Sequence, residues 1–191
     1  LLPAHAANKG VIMCGRFTLT TNPAELQDAF GGAIFPTIFA PRFNIAPSQP
    51  LLAIPNDGAN TANFFLWGLI PMWAKESSIG NRLINARGET VAEKPSFRGS
   101  FKYKRCLILA DGFYEWKWLD SKGNKKQKYL LEFPDSGLFG FAGLYDEWVN
   151  KETGEKLVSG YGERTKGNLW SGSYEGDGNT GFGVQFTDSG K

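Results

Sequence analysis

Hydrophobic and polar positions change period several times along this chain, and the changes mark out short elements. "RFTLT" (16–20) alternates polar and apolar residues, the signature of a strand with one buried face. "NPAELQDAF" (22–30) predicts a short helix: Asn22 can cap it, Pro23 suits the first helical position, and Glu25 completes a box-like spacing. "GGAIFPTIFAPRFNIAPSQP" (31–50) carries four prolines and reads as an extended, well-packed loop. "LLAI" (51–54) and "NFFLW" (63–67) are the arms of a hairpin around "PNDGAN". "GLIPMWAKE" (68–76) is a loop, and "ETVAEKPSFRGSF" (89–101) holds short helical turns. "RCLILADGFYEWKW" (105–118) predicts two strands broken at Asp111-Gly112. "DSKGNKKQ" turns into the strand "KYLLEF" (128–133), and "LFGFAGLYDEW" (138–148) supplies another. Many short strands with few helices predict an α+β domain, mostly antiparallel β, compact and barrel-like. No internal repeat is present.

Both ends depart from this pattern. "LLPAHAANKG" has no initiator methionine and is too short for a complete signal peptide, although "AHA" resembles the end of one. The simpler account is an over-extended reading frame with Met13 as the true start. From Ser159 onward the chain is Gly- and Ser-rich with weak apolar patterning, which fits one irregular hairpin or a disordered tail. The expected organisation is a leader over 1–12 absent from the mature protein, a domain over 13–158 and a divergent tail over 159–191.

Composition narrows the class. A chain of 191 residues suits one domain with a sizeable core. No stretch approaches the ~20 apolar residues of a membrane-spanning helix. Two cysteines, Cys14 and Cys106, cannot build a disulfide framework, so a reducing cytoplasm is the default. They are too few for a structural zinc site, and the single histidine, His5, lies in the leader. The net charge of +2 says little, but residues 82–128 hold 12 Lys or Arg against 5 Asp or Glu. Cations interleaved with aromatic residues suit single-stranded nucleic acid, whose backbone needs charge and whose bases need stacking surfaces. A solvated basic surface over an aromatic core fits the same counts.

Four places carry candidate chemistry. Cys14 directly follows Met13, and a small second residue permits removal of an initiator methionine. The exposed α-amine (about 8) and thiol (about 8.5) would both be partly nucleophilic at neutral pH. Such a 1,2-aminothiol condenses with an aldehyde to a Schiff base and closes to a five-membered ring; the competing reading is a buried structural cysteine. In "INARGE" (84–89), an extended backbone would point Asn85 and Arg87 to one face, an amide for a substrate oxygen or amine and a guanidinium for a phosphate. A helix-start cap with a surface salt bridge is equally compatible. Glu115 in "ADGFYEW" sits between Tyr114 and Trp116, surroundings that raise a carboxyl pKa and suit proton transfer, unless it is the outward residue of an alternating strand. Trp73 in "WGLIPMWA" (67–74) is a candidate base-stacking wedge, whereas Trp67 reads equally as a core anchor.

Taken in order, "MCGRF", "PRFNIAPSQ", "WGLIPMWAK", "INARGETVAEKPSFR", "RCLILADGFYEW" and "FAGLYDEW" resemble the SOS response-associated peptidase (SRAP) family over roughly residues 13 to 158. Members of that family shield abasic sites in single-stranded DNA. The resemblance implies the family's compact α+β architecture and a covalent chemistry in which Cys14 forms a thiazolidine crosslink with the ring-opened sugar. It further implies that Asn85 orients the amine and the sugar, and that Glu115 carries protons and supports strand-cleaving lyase chemistry and crosslink reversal. Arg16 and Arg87 would grip flanking phosphates, with Trp73 and Pro41 against the DNA. The implied partner is single-stranded DNA with abasic sites, met by a monomer in the cytoplasm and on the nucleoid after damage, with no cofactor and no metal. The peptidase label would describe self-removal of the residues ahead of Cys14. Two departures stand out. The family's C-terminal His-x-Arg-Met-Pro segment is missing, and the resemblance stops near "EKLVSG", so the C-terminal part reads as atypical or truncated. While the leader is attached, the Cys14 nitrogen is an amide and the ring cannot close. The alternatives are an autoprocessing N-terminal-Cys hydrolase and a non-catalytic single-strand binder.

Overall fold

The computed structural model describes residues 15–120, 122, 124–132 and 137–164. Its strands are β1 (Phe17–Leu19), β2 (Arg42–Ile45), β3 (Pro50–Pro55), β4 (Asn63–Trp67), β5 (Asn85–Arg87), β6 (Arg105–Ala110), β7 (Gly112–Trp118), β8 (Lys126–Leu131), β9 (Phe139–Val149) and β10 (Lys156–Arg164). Short helices lie between them: α1 (Pro23–Ala29), α2 (Gly88–Val91), α3 (Arg98–Tyr103) and a 3-10 segment, Ser77–Arg82.

The apolar runs form the centre. β3 and β6 have five consecutive buried residues each, because both of their faces are covered. β4, β3, β6, β9 and β10 pair in that order, and β10 returns to β4 in parallel at Ser159↔Leu66 and Gly160↔Trp67. Five strands thereby close into a barrel, which leaves few open edges. Beyond β4, the same edge of β10 carries β5, also in parallel, at Gly162↔Asn85, Glu163↔Ala86 and Arg164↔Arg87. β10 therefore continues past residue 158, where the composition changes, and Ser159, Gly160 and Tyr161 are buried. Tyr161 is fully buried against Phe97, with ring centroids 4.9 Å apart.

A second sheet, in the order β2-β1-β7-β8, lies against the barrel. Phe17, Ile45 and Phe113 belong both to this sheet and to the main core. The expected mostly antiparallel, barrel-like α+β architecture with short helices is what the chain forms. One element differs: β2 emerges inside the proline-rich segment expected to be a loop. Its four residues sit between Pro41 and Pro47 and gain their partner only from β1, by antiparallel pairing. Helix α1 follows its sequence signals, with the Asn22 side chain accepting from the Glu25 amide at 3.0 Å and Leu26 fully buried. That burial contributes roughly 1.5–3 kcal/mol. Among the described residues, no helix is long and apolar enough to cross a membrane.

Candidate functional site

The polypeptide entering β1 runs beside β7. The register pairs Phe17 with Phe113, and the Tyr114 amide donates to the Arg16 carbonyl at 2.9 Å. Continued outward, this register opposes Gly15 to Glu115. Gly15 is the first described residue, so Cys14, one peptide bond earlier, lies outside the described residues. Glu115 is half-buried on β7 and faces Tyr129 of β8.

β1 owes its position to Asp111, at the break between β6 and β7. One carboxylate oxygen accepts from the Thr18 hydroxyl at 2.5 Å. The other accepts from the Thr20 hydroxyl at 2.7 Å, the Thr21 amide at 2.9 Å, the Thr21 hydroxyl at 3.1 Å and the Thr20 amide. Burial pushes the Asp111 carboxyl up, but the hydrogen bonds from Thr18, Thr20 and Thr21 outweigh it and hold the group below the usual range. This explains why Thr18 is buried in a strand whose alternation predicts an exposed position.

β5 carries the second pair of candidate residues. Ala86 is buried, Asn85 half-buried and Arg87 exposed, so Asn85 and Arg87 project from the same face of the strand. Trp67 ties this strand to β1: its ring lies 5.1 Å from that of Phe17, and its indole N–H donates to the Ile84 carbonyl at 2.8 Å. Two glycines permit the approach. Gly68 has φ +126°, and a Cβ there would meet the Gly80 carbonyl oxygen at 2.5 Å; a Cβ on Gly80 would meet the Gly68 oxygen at 2.9 Å. With both backbones in contact, the Leu69 amide reaches the Leu83 carbonyl at 3.0 Å and fixes the entry to β5.

The polar rim is built from the β1–β2 side. Arg16 is exposed and donates to the Asn44 side chain at 2.9 Å; the Tyr114 hydroxyl donates to the Phe43 carbonyl at 2.9 Å. Pro41 is exposed just ahead of β2, where Arg42 donates to Gln49 at 2.7 Å and to the Pro50 carbonyl. Trp73 is 58% exposed on a loop pinned on both sides. The Met72 amide donates to Asp146 at 2.8 Å, and the Trp148 indole donates to the Ala74 carbonyl at 2.7 Å. Asp146 is itself held by Lys104 at 2.9 Å.

The β1–β7 pairing sets Arg16 beside Tyr114 and Gly15 beside Glu115, on alternate faces of the sheet, and β5 carries Asn85 and Arg87, with Trp67 linking β1 to the entry of β5. Pro41 lies just ahead of β2, and Trp73 on a separate loop pinned to β9. Sequence reasoning did not single out Asp111, Asp146 or the bridging role of Trp67. The signal for Asp111 is an Asp inside an otherwise apolar run, "ILADGF", and for Asp146 an acidic pair closing the run "FAGLYDEW". Cys106 is fully buried, which pushes its thiol far up and leaves it unreactive. Among the described residues no group of three or more His, Cys, Asp or Glu is arranged to hold a metal ion.

Comparison with known proteins follows this geometry. The family model described as SOS response associated peptidase (SRAP) matches residues 13–161. The chain is 51% identical over 139 residues to abasic site processing protein YoaM of Bacillus subtilis, a match covering 71% of this chain and 60% of that protein. It is 32% identical over 190 residues to abasic site processing protein HMCES of Xenopus tropicalis, covering 77% of this chain and 56% of that protein. The chain therefore spans about three fifths of the length of these curated relatives. A crystal structure of a Bacteroides thetaiotaomicron protein superposes with a TM-score of 0.70 at 26% identity, covering 80% of this chain and 68% of that one.

Proposed function

The chain belongs to the SOS response associated peptidase (SRAP) family, and on that premise we propose that it processes abasic sites in single-stranded DNA by covalent capture through Cys14. The names of its relatives as abasic site processing proteins support the substrate class. What supports the reading is that the strand following Cys14 pairs with the Glu115 strand through the Arg16–Tyr114 hydrogen bond, and that Trp67 bridges Phe17 of that strand to Ile84, the residue ahead of Asn85.

The chemistry begins once the residues ahead of Cys14 are removed, the step to which we assign the peptidase activity. The α-amine adds to the aldehyde carbon of the ring-opened abasic sugar. The hemiaminal loses its hydroxyl as water and becomes a Schiff base. The thiol then adds across the C=N bond, sulfur to carbon and proton to nitrogen, and closes a thiazolidine. One water leaves overall. Glu115 carries the protons that the amine gives up and the departing hydroxyl takes, and in reverse supports strand cleavage and release. The Asn85 amide both donates and accepts, so it can hold the amine and a sugar oxygen together. Arg16 and Arg87 neutralise the flanking phosphates, and Trp73 and Pro41 present a stacking surface to the bases.

Intact-mass analysis tests this. The mature protein is expected to begin at Cys14 and, after incubation with an abasic oligonucleotide, to gain that oligonucleotide's mass less one water. The adduct survives denaturing electrophoresis, and Cys14→Ala abolishes it. An unblocked Cys14 that yields no adduct, with binding that vanishes under denaturing conditions, would instead identify a non-catalytic single-strand binder.

A further inference from the structure

We propose that the β7–β8 hairpin is a second DNA-binding surface, a lysine arm that grips single-stranded DNA away from the reacting residues; this rests on the DNA-binding reading above and extends it to residues with no part in the chemistry. Lys122, Lys125, Lys126 and Lys128 are all exposed. Between residues 116 and 131 the sole acidic residue is Asp120, and its carboxylate already accepts from the Asn124 amide at 2.8 Å. Every residue of β8 is exposed. Lysines concentrated on one exposed hairpin offer a polyanion a complementary surface.

The arm meets the site at Arg16 and runs over the sheet face turned away from Glu115. β8 pairs Leu130 with Tyr114 and Lys128 with Trp116, so these side chains share the face of the sheet opposite Glu115. Arg16 lies beside Tyr114 on β1, and the Lys128 ammonium stands 4.8 Å from the centre of the Tyr114 ring. A stripe of alternating cation and aromatic therefore runs from Arg16 across Tyr114 to Lys128. Lys126 prolongs it along β8, and Lys122 and Lys125 add exposed positive charge ahead of that strand. This alternation is what a strand of phosphates and unstacked bases requires. Lysines on an edge strand also guard against unwanted strand pairing. That role accounts for Lys126 and Lys128, which lie on the strand, but not for Lys122 and Lys125, which lie off it.

The test uses undamaged thymidine oligonucleotides and fluorescence anisotropy, which keeps it independent of Cys14. Each single-strand phosphate neutralised contributes ~0.7 to the slope of log affinity against log salt. The quadruple Lys→Ala variant at 122, 125, 126 and 128 should lose a slope of about 3, so its affinity falls ~50-fold less than wild type between about 50 and 200 mM salt. The quadruple Lys→Arg variant should retain the slope. An alanine variant with the wild-type slope overturns the proposal, as does one that self-associates while binding as before, the mark of edge protection alone. Wild-type protein with no salt-dependent binding at all would instead defeat the DNA-binding reading itself. All eight substitutions are at exposed positions, and an unchanged thermal melt confirms folding.

Discussion

Replacing Asp111 asks whether one carboxylate holds β1, and with it the approach to Cys14. Its two oxygens accept from Thr18, Thr20 and Thr21 through three hydroxyls and two amides, while its own amide donates to the Thr18 carbonyl at 3.0 Å. Hydrogen bonds to a charged acceptor are worth about 1.5–3 kcal/mol each in isolation, but they share one desolvation cost and do not add. Truncation to alanine leaves several donors facing a void, so Asp111→Ala should cost ~3–5 kcal/mol, the range for breaking a buried charged group from its partners. Asp111→Asn is milder. Its carbonyl oxygen can take the two backbone amides, and its amide can donate to the Thr18 hydroxyl, which has the Gly112 carbonyl at 3.2 Å as an alternative acceptor. Only the charge is lost, about 1–2 kcal/mol. The sign of the pH dependence follows from the depressed pKa. A carboxyl held below its unfolded value contributes fully above about pH 4 and loses that contribution as pH falls through its folded pKa. Urea unfolding followed by tryptophan fluorescence should show the wild-type advantage over Asp111→Asn at neutral pH shrinking on acidification through this window. A gap that stays constant with pH, or an alanine variant within ~1 kcal/mol of wild type, would show that β1 is held by something else.

Two further substitutions test how β5 is placed. Gly68→Ala puts a Cβ on a backbone with φ +126° and 2.5 Å from the Gly80 carbonyl oxygen, so a loss of about 3–5 kcal/mol in urea unfolding is expected; a loss under ~1 kcal/mol would mean that the two loops part freely. Trp67→Phe keeps a ring against Phe17 but deletes the bond to the Ile84 carbonyl. It should cost ~1–2 kcal/mol and slow single-turnover crosslinking, and an unchanged rate at saturating DNA would remove Trp67 from the positioning of Asn85.

Much of the fold was legible because its signals are local. Asn22 and Pro23 announce α1 within two residues, and "LLAI" and "NFFLW" flank a turn that leaves them little choice but to pair. β2 was hidden because its strand partner is β1, remote in sequence, while the prolines around it signal a loop. The parallel pairing of β5 with β10 was further out of reach, since Asn85 and Gly162 are remote in sequence and neither segment carries a mark of the other. The buried Thr18 misled in a different way. Alternation assigns it to solvent, and only the carboxylate that packs over it makes burial tolerable.

The candidate site divides along the same line. That Asn85 and Arg87 share a face follows from one intervening alanine, a fact contained in three letters. That β5 is tied to the strand following Cys14 follows from the crossing of two glycine backbones, a tryptophan that touches Phe17 with its ring and Ile84 with its N–H, and a carboxylate that gathers three threonines. None of these supports belongs to the reactive set, and each lies in a different segment. Motifs that are weak singly therefore become a site only through long-range register. β10 controls that register, because one of its edges carries β4 and then β5 in succession. The strand that closes the barrel is also the strand that sets where Asn85 stands, so loosening the Ser159–Gly160 pairing should disturb stability and chemistry together.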